Sequence, residues 1–219
     1  MINIKVCGIN EEEHALAAAE AGANFIGLVF ASSPRQITPA RAEIIVSALK
    51  NKHSNTEVVG VFVNTPAGRV KKIADSCHLD WVQISGDEPW EYCRELNLPI
   101  IKVVRVSRNY KSEQISANLA YGKKIIKGQK HLFLLDSNVR EKYGGTGRTF
   151  DWKLAHPIAA QFPVIVAGGL SPSNVAEAIR VASPWGVDVS SGVETKGVKD
   201  IAKVIKFIET VRKIDDIQT

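Results

Sequence analysis

The stretch PVIVAGGLSPSNVAEAIRVASPWGVDVSSG (163–192) decides the fold that this sequence predicts. It starts as a continuous apolar run, passes into a helical pattern at 171–182, and returns to a second apolar run at 185–190. Continuous apolar runs are typical of strands that are buried on both faces of a parallel sheet. The stretch therefore predicts a strand–helix–strand unit, with Ser171 as the helix cap and Pro172 at the first helical position.

The same alternation extends from one end of the sequence to the other. Eight apolar runs predict strands, at residues 2–6, 24–30, 57–63, 80–84, 99–106, 131–136, 163–168 and 185–190. Eight helical patterns follow them in turn, at residues 11–23, 39–52, 66–77, 88–96, 112–124, 151–160, 171–182 and 199–214. Eight such units in 219 residues predict an α/β protein, a single (β/α)8 TIM barrel domain over residues 1–219. The alternative is an open doubly wound sheet, which more often has about five to seven strands.

Composition and charge describe an ordinary globular protein. Hydrophobic residues make up 45% and charged residues 23%, which excludes wholesale disorder. No apolar run approaches the ~20 residues that cross a bilayer, and the start MINIKVCGIN lacks a signal-peptide pattern. The three cysteines, Cys7, Cys77 and Cys93, are too sparse for a disulfide framework and fit a reducing cytoplasm. The 28 basic and 23 acidic residues give a net charge of +5, which suits an anionic partner.

Catalytic residues of (β/α)8 barrels lie at the C-terminal ends of the strands. Cys7 ends the first predicted strand and Asp136 the sixth, so we expect both at the mouth of the barrel. A thiol can act as a base when its surroundings favour the thiolate, and a carboxyl group can act as an acid or a base. The alternatives are an inert buried thiol and a carboxylate that caps the following loop. We interpret Cys7 and Asp136 as acid–base candidates, and Cys77 and Cys93, on helical patterns, as core residues.

Two loops near the end of the sequence predict a phosphate site. Gly168 and Gly169 follow the seventh strand, where backbone N–H groups can approach an anion without obstruction by a side chain. Ser190, Ser191 and Gly192 follow the eighth strand and add hydroxyls and amides, at the start of a short extra helix. Barrels repeatedly bind phosphate in these two loops. The alternative is that these residues only form turns.

Other patterns exclude some classes of site. The long loop at 136–150 contains YGGTGRTF, which lacks the Gly-Lys-Ser/Thr ending of a nucleotide loop and is interpreted as a lid or backbone cradle. The five histidines have no partners at metal-ligand spacing, so we expect no metal. The lysine-rich stretch KKIIKGQK (123–130) has no interleaved aromatic residues and is interpreted as a solvated helix end rather than a nucleic-acid site.

Seven motifs occur together and in order along the strands and loops. They are KVCGIN (5–10), SSPRQIT (32–38), VQISGDE (82–88), LLDSN (134–138), YGGTGRTFDW (143–152), VAGGLSPSNV (166–175) and VDVSSGVET (187–195). In this combination the sequence resembles the phosphoribosylanthranilate isomerase family. The resemblance covers nearly the whole chain, and the combination is specific, whereas many barrels share the phosphate loops alone.

The resemblance implies a cofactor-free Amadori rearrangement of N-(5-phosphoribosyl)anthranilate to 1-(o-carboxyphenylamino)-1-deoxyribulose 5-phosphate, in tryptophan biosynthesis. It implies Asp136 as the general acid for opening the furanose ring and Cys7 as the general base for the C2′ proton. Arg35 matches the arginine that faces the anthranilate carboxylate, which its planar donors suit, and Asp188 matches a polar residue near the anthranilate amine. The remaining implied contacts are the phosphate residues Gly169, Ser190, Ser191 and Gly192, and the substrate-binding Gly145 of the long loop.

One position departs from the family pattern, because the chain has Ser85 where the family commonly has histidine. The role of Ser85 therefore stays open. The histidine-pathway isomerase that performs the same rearrangement usually has aspartate at the position of Cys7, although a dual-substrate enzyme stays an alternative. A barrel that only binds phosphate has no need of Cys7, Asp136 and Arg35 together. We expect a phosphorylated small molecule as the ligand, a monomer or homodimer, and no nucleic-acid or membrane partner.

Overall fold

The computed structural model describes residues 1–52, 55–107, 110–137 and 150–218. Eight parallel strands pair in chain order, and the eighth pairs with the first, so the sheet closes into a barrel. The strands are β1 (Asn3–Cys7), β2 (Phe25–Val29), β3 (Glu57–Phe62), β4 (Trp81–Ile84), β5 (Ile100–Val106), β6 (His131–Ser137), β7 (Val164–Val166) and β8 (Gly186–Val189). The predicted TIM barrel is confirmed, and the open sheet is wrong because β8 pairs with β1 and closes the sheet.

Helices follow the strands in the order that the sequence predicts. They are α1 (Glu12–Glu20), α2 (Pro39–Asn51), α3 (Ala67–Ser76), α4 (Trp90–Leu96), α5 (Ser112–Ile125), α6 (His156–Ala159), α7 (Val175–Ala182) and α8 (Ile201–Gln218). None of these described helices is both long and apolar enough to span a bilayer. A short antiparallel ribbon, β9 (Glu194–Thr195) with β10 (Val198–Lys199), lies between β8 and α8.

The sixth helical segment is shorter than predicted. The sequence pattern covers 151–160, but the structure has a 3-10 turn at Trp152–Leu154 and then the four-residue α6. Pro157 explains the interruption, since it has no N–H to donate to the turn before it and its ring clashes with that turn. Asp151 caps the 3-10 turn, because its carboxylate accepts from the Lys153 backbone N–H at 3.0 Å.

The predicted start of the seventh helix at Ser171 is wrong. The helix α7 begins at Val175, and Asn174 occupies the cap position. The Asn174 side chain accepts from the Ser171 N–H at 2.8 Å and donates to the Gly169 carbonyl at 2.9 Å. Asparagine competes with helix formation through such local bonds, and here they tie the loop after β7 to the start of α7.

Inward-facing side chains form an apolar floor in the barrel. Among the described residues, this cluster contains Phe25, Val59, Trp81, Ile101, Val103, Leu132, Leu134, Ile165 and Ala167. The larger core of buried residues includes the outward-facing strand positions and the helices that cover them. Towards the C-terminal ends of the strands, inward-facing positions become polar, at Lys5, Gln83, Asp136 and Asp188. The floor therefore supports a polar layer at the mouth.

Candidate active site

A cavity of about 350 Å³ opens at the C-terminal ends of the strands. Residues that the sequence selected line it together: Cys7, Arg35, Asp136, Gly168, Gly169, Asp188, Ser190 and Ser191. The selected Gly145 lies outside the described residues. The selected Gly192 is not part of the lining. The structure thus brings the acid–base candidates and both proposed phosphate loops to one cavity.

A buried ion pair lies beneath Cys7. Lys5 and Asp188 are register partners on β1 and β8, and the Lys5 Nζ is 2.9 Å from the Asp188 Oδ1. The Lys5 side chain is 1% exposed. Lys5 was not assigned a role from sequence, although its position two residues before Cys7 could have indicated it, since residues i and i+2 of a strand share a face.

The neighbouring strand has glycine beside this group. Gly27 on β2 is the register partner of Cys7. A Cβ at Gly27 would lie 2.8 Å from the Cys7 Sγ and 3.0 Å from the Lys5 Nζ. Such contacts are shorter than van der Waals separation, so glycine at this position provides the space in which the thiol and the ammonium meet.

The pKa of Cys7 is set by opposing influences. Burial raises the pKa of the thiol, the charge of Lys5 lowers it, and the charge of Asp188 raises it again. Burial prevails, and the pKa stays above its ordinary value of 9.0. Lys5 itself is buried, which alone lowers its pKa, but Asp188 and Cys7 raise it to about 12. Lys5 therefore keeps its charge throughout the neutral range.

Asp136 is an acid that stays partly protonated near neutral pH. Burial and the charge of Asp188 raise its pKa from 3.8 to about 6, against the opposing effect of the Ser137 backbone N–H. The loop after β7 encloses the Asp136 carboxyl group closely, since a Cβ at Gly168 would lie 2.8 Å from the Asp136 Oδ1. A carboxyl group with this pKa can donate a proton at neutral pH, as general acid catalysis requires.

Arg35 is held in place by a carboxylate that the sequence analysis did not identify. Its Nε and Nη2 donate to the two Glu194 carboxylate oxygens at 2.6 and 2.8 Å. The Glu194 Oε1 also accepts from the Lys199 Nζ at 2.5 Å, and that ammonium donates to the Ser190 carbonyl at 3.0 Å. Burial raises the pKa of Glu194, but the bonds from Arg35 and Lys199 outweigh it and lower the pKa overall. Glu194 thus joins the arginine to the loop after β8.

The two proposed phosphate loops pack against each other. Gly168 and Gly169 have φ angles of +85° and +66°, the left-handed conformation that glycine adopts most readily. Beyond β8, a 3-10 turn runs over Ser191–Val193, which confirms the short extra helix. A Cβ at Gly192 would lie 1.8 Å from the Leu170 carbonyl oxygen. Glycine at 192 is therefore required for close packing of the loops.

The wall formed by β4 and β5 adds polar groups to the cavity. The Gln83 Nε2 donates to the Ser85 Oγ at 3.0 Å, and both residues line the cavity. Arg105 also lines it, and donates to the Asp87 carboxylate at 3.2 Å and to the Ser85 carbonyl. Ser85, the position that departs from the family pattern, therefore orients Gln83 at the cavity wall.

Comparisons with known proteins agree on one family. A family model described as N-(5'phosphoribosyl)anthranilate (PRA) isomerase matches residues 4–210. An N-(5'-phosphoribosyl)anthranilate isomerase from Dehalococcoides mccartyi is 46% identical over 98% of this chain and 98% of its own length. One from Roseiflexus sp. is 43% identical over 97% of this chain and 98% of its own.

Solved structures of the family superpose closely on this barrel. Phosphoribosyl anthranilate isomerase from Thermotoga maritima matches with a TM-score of 0.84 and 36% identity, over 97% of this chain and 100% of that one. Another solved isomerase, in complex with reduced 1-(o-carboxyphenylamino)-1-deoxyribulose 5-phosphate, matches with a TM-score of 0.80 and 34% identity over the same shares.

Proposed function

This chain belongs to the N-(5'-phosphoribosyl)anthranilate isomerase family, and we propose that Asp136 and Cys7 carry its reaction as general acid and general base. The chain is an isomerase of tryptophan biosynthesis. The proposed substrate is N-(5-phosphoribosyl)anthranilate, and the product is 1-(o-carboxyphenylamino)-1-deoxyribulose 5-phosphate. The observation that carries the assignment is that Asp136 and Cys7 line one cavity together with both proposed phosphate loops.

Asp136 opens the furanose ring. Its carboxyl group gives a proton to the ring oxygen as the C1′–O bond breaks, and the lone pair of the anilino nitrogen forms the C1′=N bond of an iminium ion. The pKa of about 6 supports this role, because a useful fraction of Asp136 carries a proton near neutral pH. After the step Asp136 is a carboxylate.

Cys7 removes the proton at C2′. The thiolate takes this proton, the C–H electron pair forms the C1′=C2′ bond, and the electrons of the C=N bond return to nitrogen. The resulting enol becomes the ketone by protonation at C1′ and loss of the O2′ proton, so the reaction is an isomerisation overall. The cationic iminium nitrogen makes the C2′ proton acidic, and it also favours the nearby thiolate over the thiol.

The acid and the base have pKa values in reversed order, since Asp136 titrates at about 6 and Cys7 above 9.0. Only a minor fraction of the free enzyme therefore holds Asp136 protonated and Cys7 ionised at the same time. The fraction in this form is constant at pH values between the two pKa values, and it decreases below the lower pKa and above the higher one. Any group that lowers the pKa of Cys7 increases the productive fraction.

The proposed binding contacts lie at the two acidic ends of the substrate, the anthranilate carboxylate and the phosphate. Arg35 lines the cavity and is proposed to bind the anthranilate carboxylate, for which a planar guanidinium is suited. Asp188 is proposed to lie near the anthranilate amine. The phosphate is proposed to bind the loops after β7 and β8, through Gly168, Gly169, Ser190, Ser191 and Gly192, while Gly145 of the long loop is proposed to contact the substrate.

The test is a fluorescence assay that follows consumption of freshly prepared phosphoribosylanthranilate. Cys7→Ala and Asp136→Ala should each lower kcat by at least ~10²-fold, the usual scale for a positioned acid or base. Cys93→Ala is the matched control, because Cys93 is buried in α4 away from the cavity lining. Full activity in the Cys7 or Asp136 variant would remove that residue from the mechanism.

We further propose a cytoplasmic location, a single domain over residues 1–219, and a monomer or homodimer. The three cysteines, which are buried and free, support a reducing compartment. The barrel strands and helices from β1 to α8 support the single domain. A relative from Thermotoga maritima is described both as dimeric and in monomeric form, which supports either oligomeric state.

A further inference from the structure

We propose that Lys5 is a positioning residue that makes Cys7 usable as a base, by holding a permanent positive charge close to the thiol while it pairs with Asp188. The proposal deepens the function above and rests on the assignment of Cys7 as the base. A buried lysine is costly, since its charge leaves water, and apolar residues can often replace buried ion pairs without loss of stability. A lysine 1% exposed in the barrel interior therefore suggests a functional reason for its charge.

The geometry brings the ammonium to the sulfur. Lys5 and Cys7 lie on the same face of β1, and one Cβ placed on Gly27 would contact both the sulfur and the ammonium, at 2.8 and 3.0 Å. The two atoms are therefore less than about 6 Å apart, a distance at which an opposite charge favours ionisation. Gly27 gives this pair the space that any larger residue would occupy.

Charged groups of both signs lie at this end of the barrel, and Lys5 is the cation whose charge acts most strongly on Cys7. Lys199 also lowers the pKa of Cys7, but less than Lys5 does. Lys199 and Arg35 both bind Glu194, which partly neutralises them. The anions Asp188 and Asp136 line the same cavity, and the charge of Asp188 raises the pKa of Cys7.

The ion pair gives the proposal a two-sided test. Loss of the ammonium leaves the Asp188 charge uncompensated near the thiol, so the pKa of Cys7 rises. Loss of the Asp188 charge leaves the ammonium uncompensated, so the pKa of Cys7 falls. Lys5→Met and Asp188→Asn should therefore shift the thiol in opposite directions, whereas a purely structural pair would give no opposed shifts.

The experiment measures the rate of iodoacetamide alkylation at Cys7 against pH, in the full-length substrate-free protein, by mass spectrometry of the Cys7 peptide. This readout reports the thiolate directly and does not depend on turnover. Lys5→Met should move the midpoint upward by about one pH unit or more, and Asp188→Asn should move it downward. Lys5→Arg, which keeps the charge, should stay closer to the unmodified protein than Lys5→Met does.

Lys102→Met is the matched control, because Lys102 is another buried lysine, on β5, whose Nζ donates to the Glu88 carbonyl at 2.8 Å. Its variant should leave the Cys7 midpoint unchanged. An unchanged midpoint in Lys5→Met overturns the proposal. If Lys5→Met does not fold, Asp188→Asn decides, and an unchanged or raised midpoint there overturns it equally.

The outcomes also separate this proposal from the function on which it rests. Full turnover by Cys7→Ala would refute the role of Cys7 as base, yet the opposed alkylation shifts would still stand as a property of the site. Conversely, an inactive Cys7→Ala variant together with an unchanged alkylation midpoint of Cys7 in Lys5→Met would keep Cys7 as the base and refute the positioning role of Lys5. In kinetic terms, Lys5→Met should lower kcat/KM at pH 7 by about tenfold or more, and the loss should persist at higher pH up to the pKa of Cys7 in the unmodified protein, because the productive fraction is constant between the two pKa values.

Discussion

Replacing Asp136 by asparagine should stabilise the fold at neutral pH while it abolishes proton donation. The carboxyl group is enclosed by the loop after β7 and lies near Asp188, and both burial and that charge raise its pKa to about 6. The same surroundings that make Asp136 an acid at neutral pH therefore disfavour its ionised form. Asparagine has nearly the same shape, can still accept from the Ser137 N–H, and carries no charge.

The magnitude follows from the two pKa values. In the unfolded chain the carboxyl group ionises near 3.8, and in the folded protein near 6. Well below pH 3.8 both states are neutral and Asp136 costs nothing. Above pH 6 both states are ionised, and the folded state carries the full cost of the buried charge, about 3 kcal/mol from the difference in pKa. The stability contributed by the neutral acid is thus lost as pH rises from about 4 to 6.

The assay is urea unfolding of the unmodified protein and of Asp136→Asn at pH 4 and pH 7.5. Packing effects of the substitution are the same at both pH values. The change with pH in the difference in unfolding free energy between the two proteins therefore isolates the effect of the charge. We expect the stability advantage of Asp136→Asn to grow by about 2 kcal/mol from pH 4 to pH 7.5. Asp75→Asn, at an exposed position on α3, should show no such growth. A difference that does not depend on pH would refute the assignment of a raised pKa to Asp136.

Two further substitutions test how the loops hold the site. Glu194→Gln removes the charge that fixes Arg35. We expect KM to rise by about tenfold with a smaller change in kcat, since charge-assisted hydrogen bonds are worth about 1.5–3 kcal/mol. An unchanged KM in steady-state kinetics would show that Glu194 does not position Arg35 for substrate. Gly192→Ala should destabilise the protein by about 1–3 kcal/mol in urea unfolding, because its Cβ would meet the Leu170 carbonyl oxygen at 1.8 Å. Gly68→Ala, where a Cβ would meet no atom within 4 Å in α3, should be neutral or stabilising, and equal behaviour of the two variants would contradict the packing argument.

The fold could be predicted because hydrophobic patterns are local. Most strands are continuous apolar runs, and the connecting segments have helical periodicity, so the number and order of elements follow from the sequence alone. The errors fall where local signals compete. Ser171 and Pro172 form a good helix start in isolation, but the Asn174 side chain bonds across the loop to Gly169 and delays the helix. Pro157 likewise divides a segment whose apolar spacing predicts one helix.

The barrel rule selects site residues only at strand ends and in the loops that follow them. Cys7 and Asp136 could be selected because the barrel rule assigns function to these positions. Lys5 and Glu194 could not be selected in this way. The partner of Lys5 is Asp188, 183 residues away, and Glu194 meets Arg35 across 159 residues. Such contacts depend on the closure of the barrel between β1 and β8, which no local pattern specifies.

The polar mouth and the apolar floor of the barrel have opposite effects on stability. The floor buries aromatic and branched side chains from six of the eight strands, and this burial stabilises the closed sheet. The mouth removes Lys5, Cys7 and Asp136 from water, which disfavours their charged forms. The proposed proton transfer uses that loss of solvation, because burial raises the pKa of Asp136 to about 6, while the charge of Lys5 limits the rise in the pKa of Cys7. Burial thus acts on both groups in the same direction, and the Lys5 ammonium, whose charge lowers the pKa of Cys7 more than that of Lys199 does, opposes it at the proposed base.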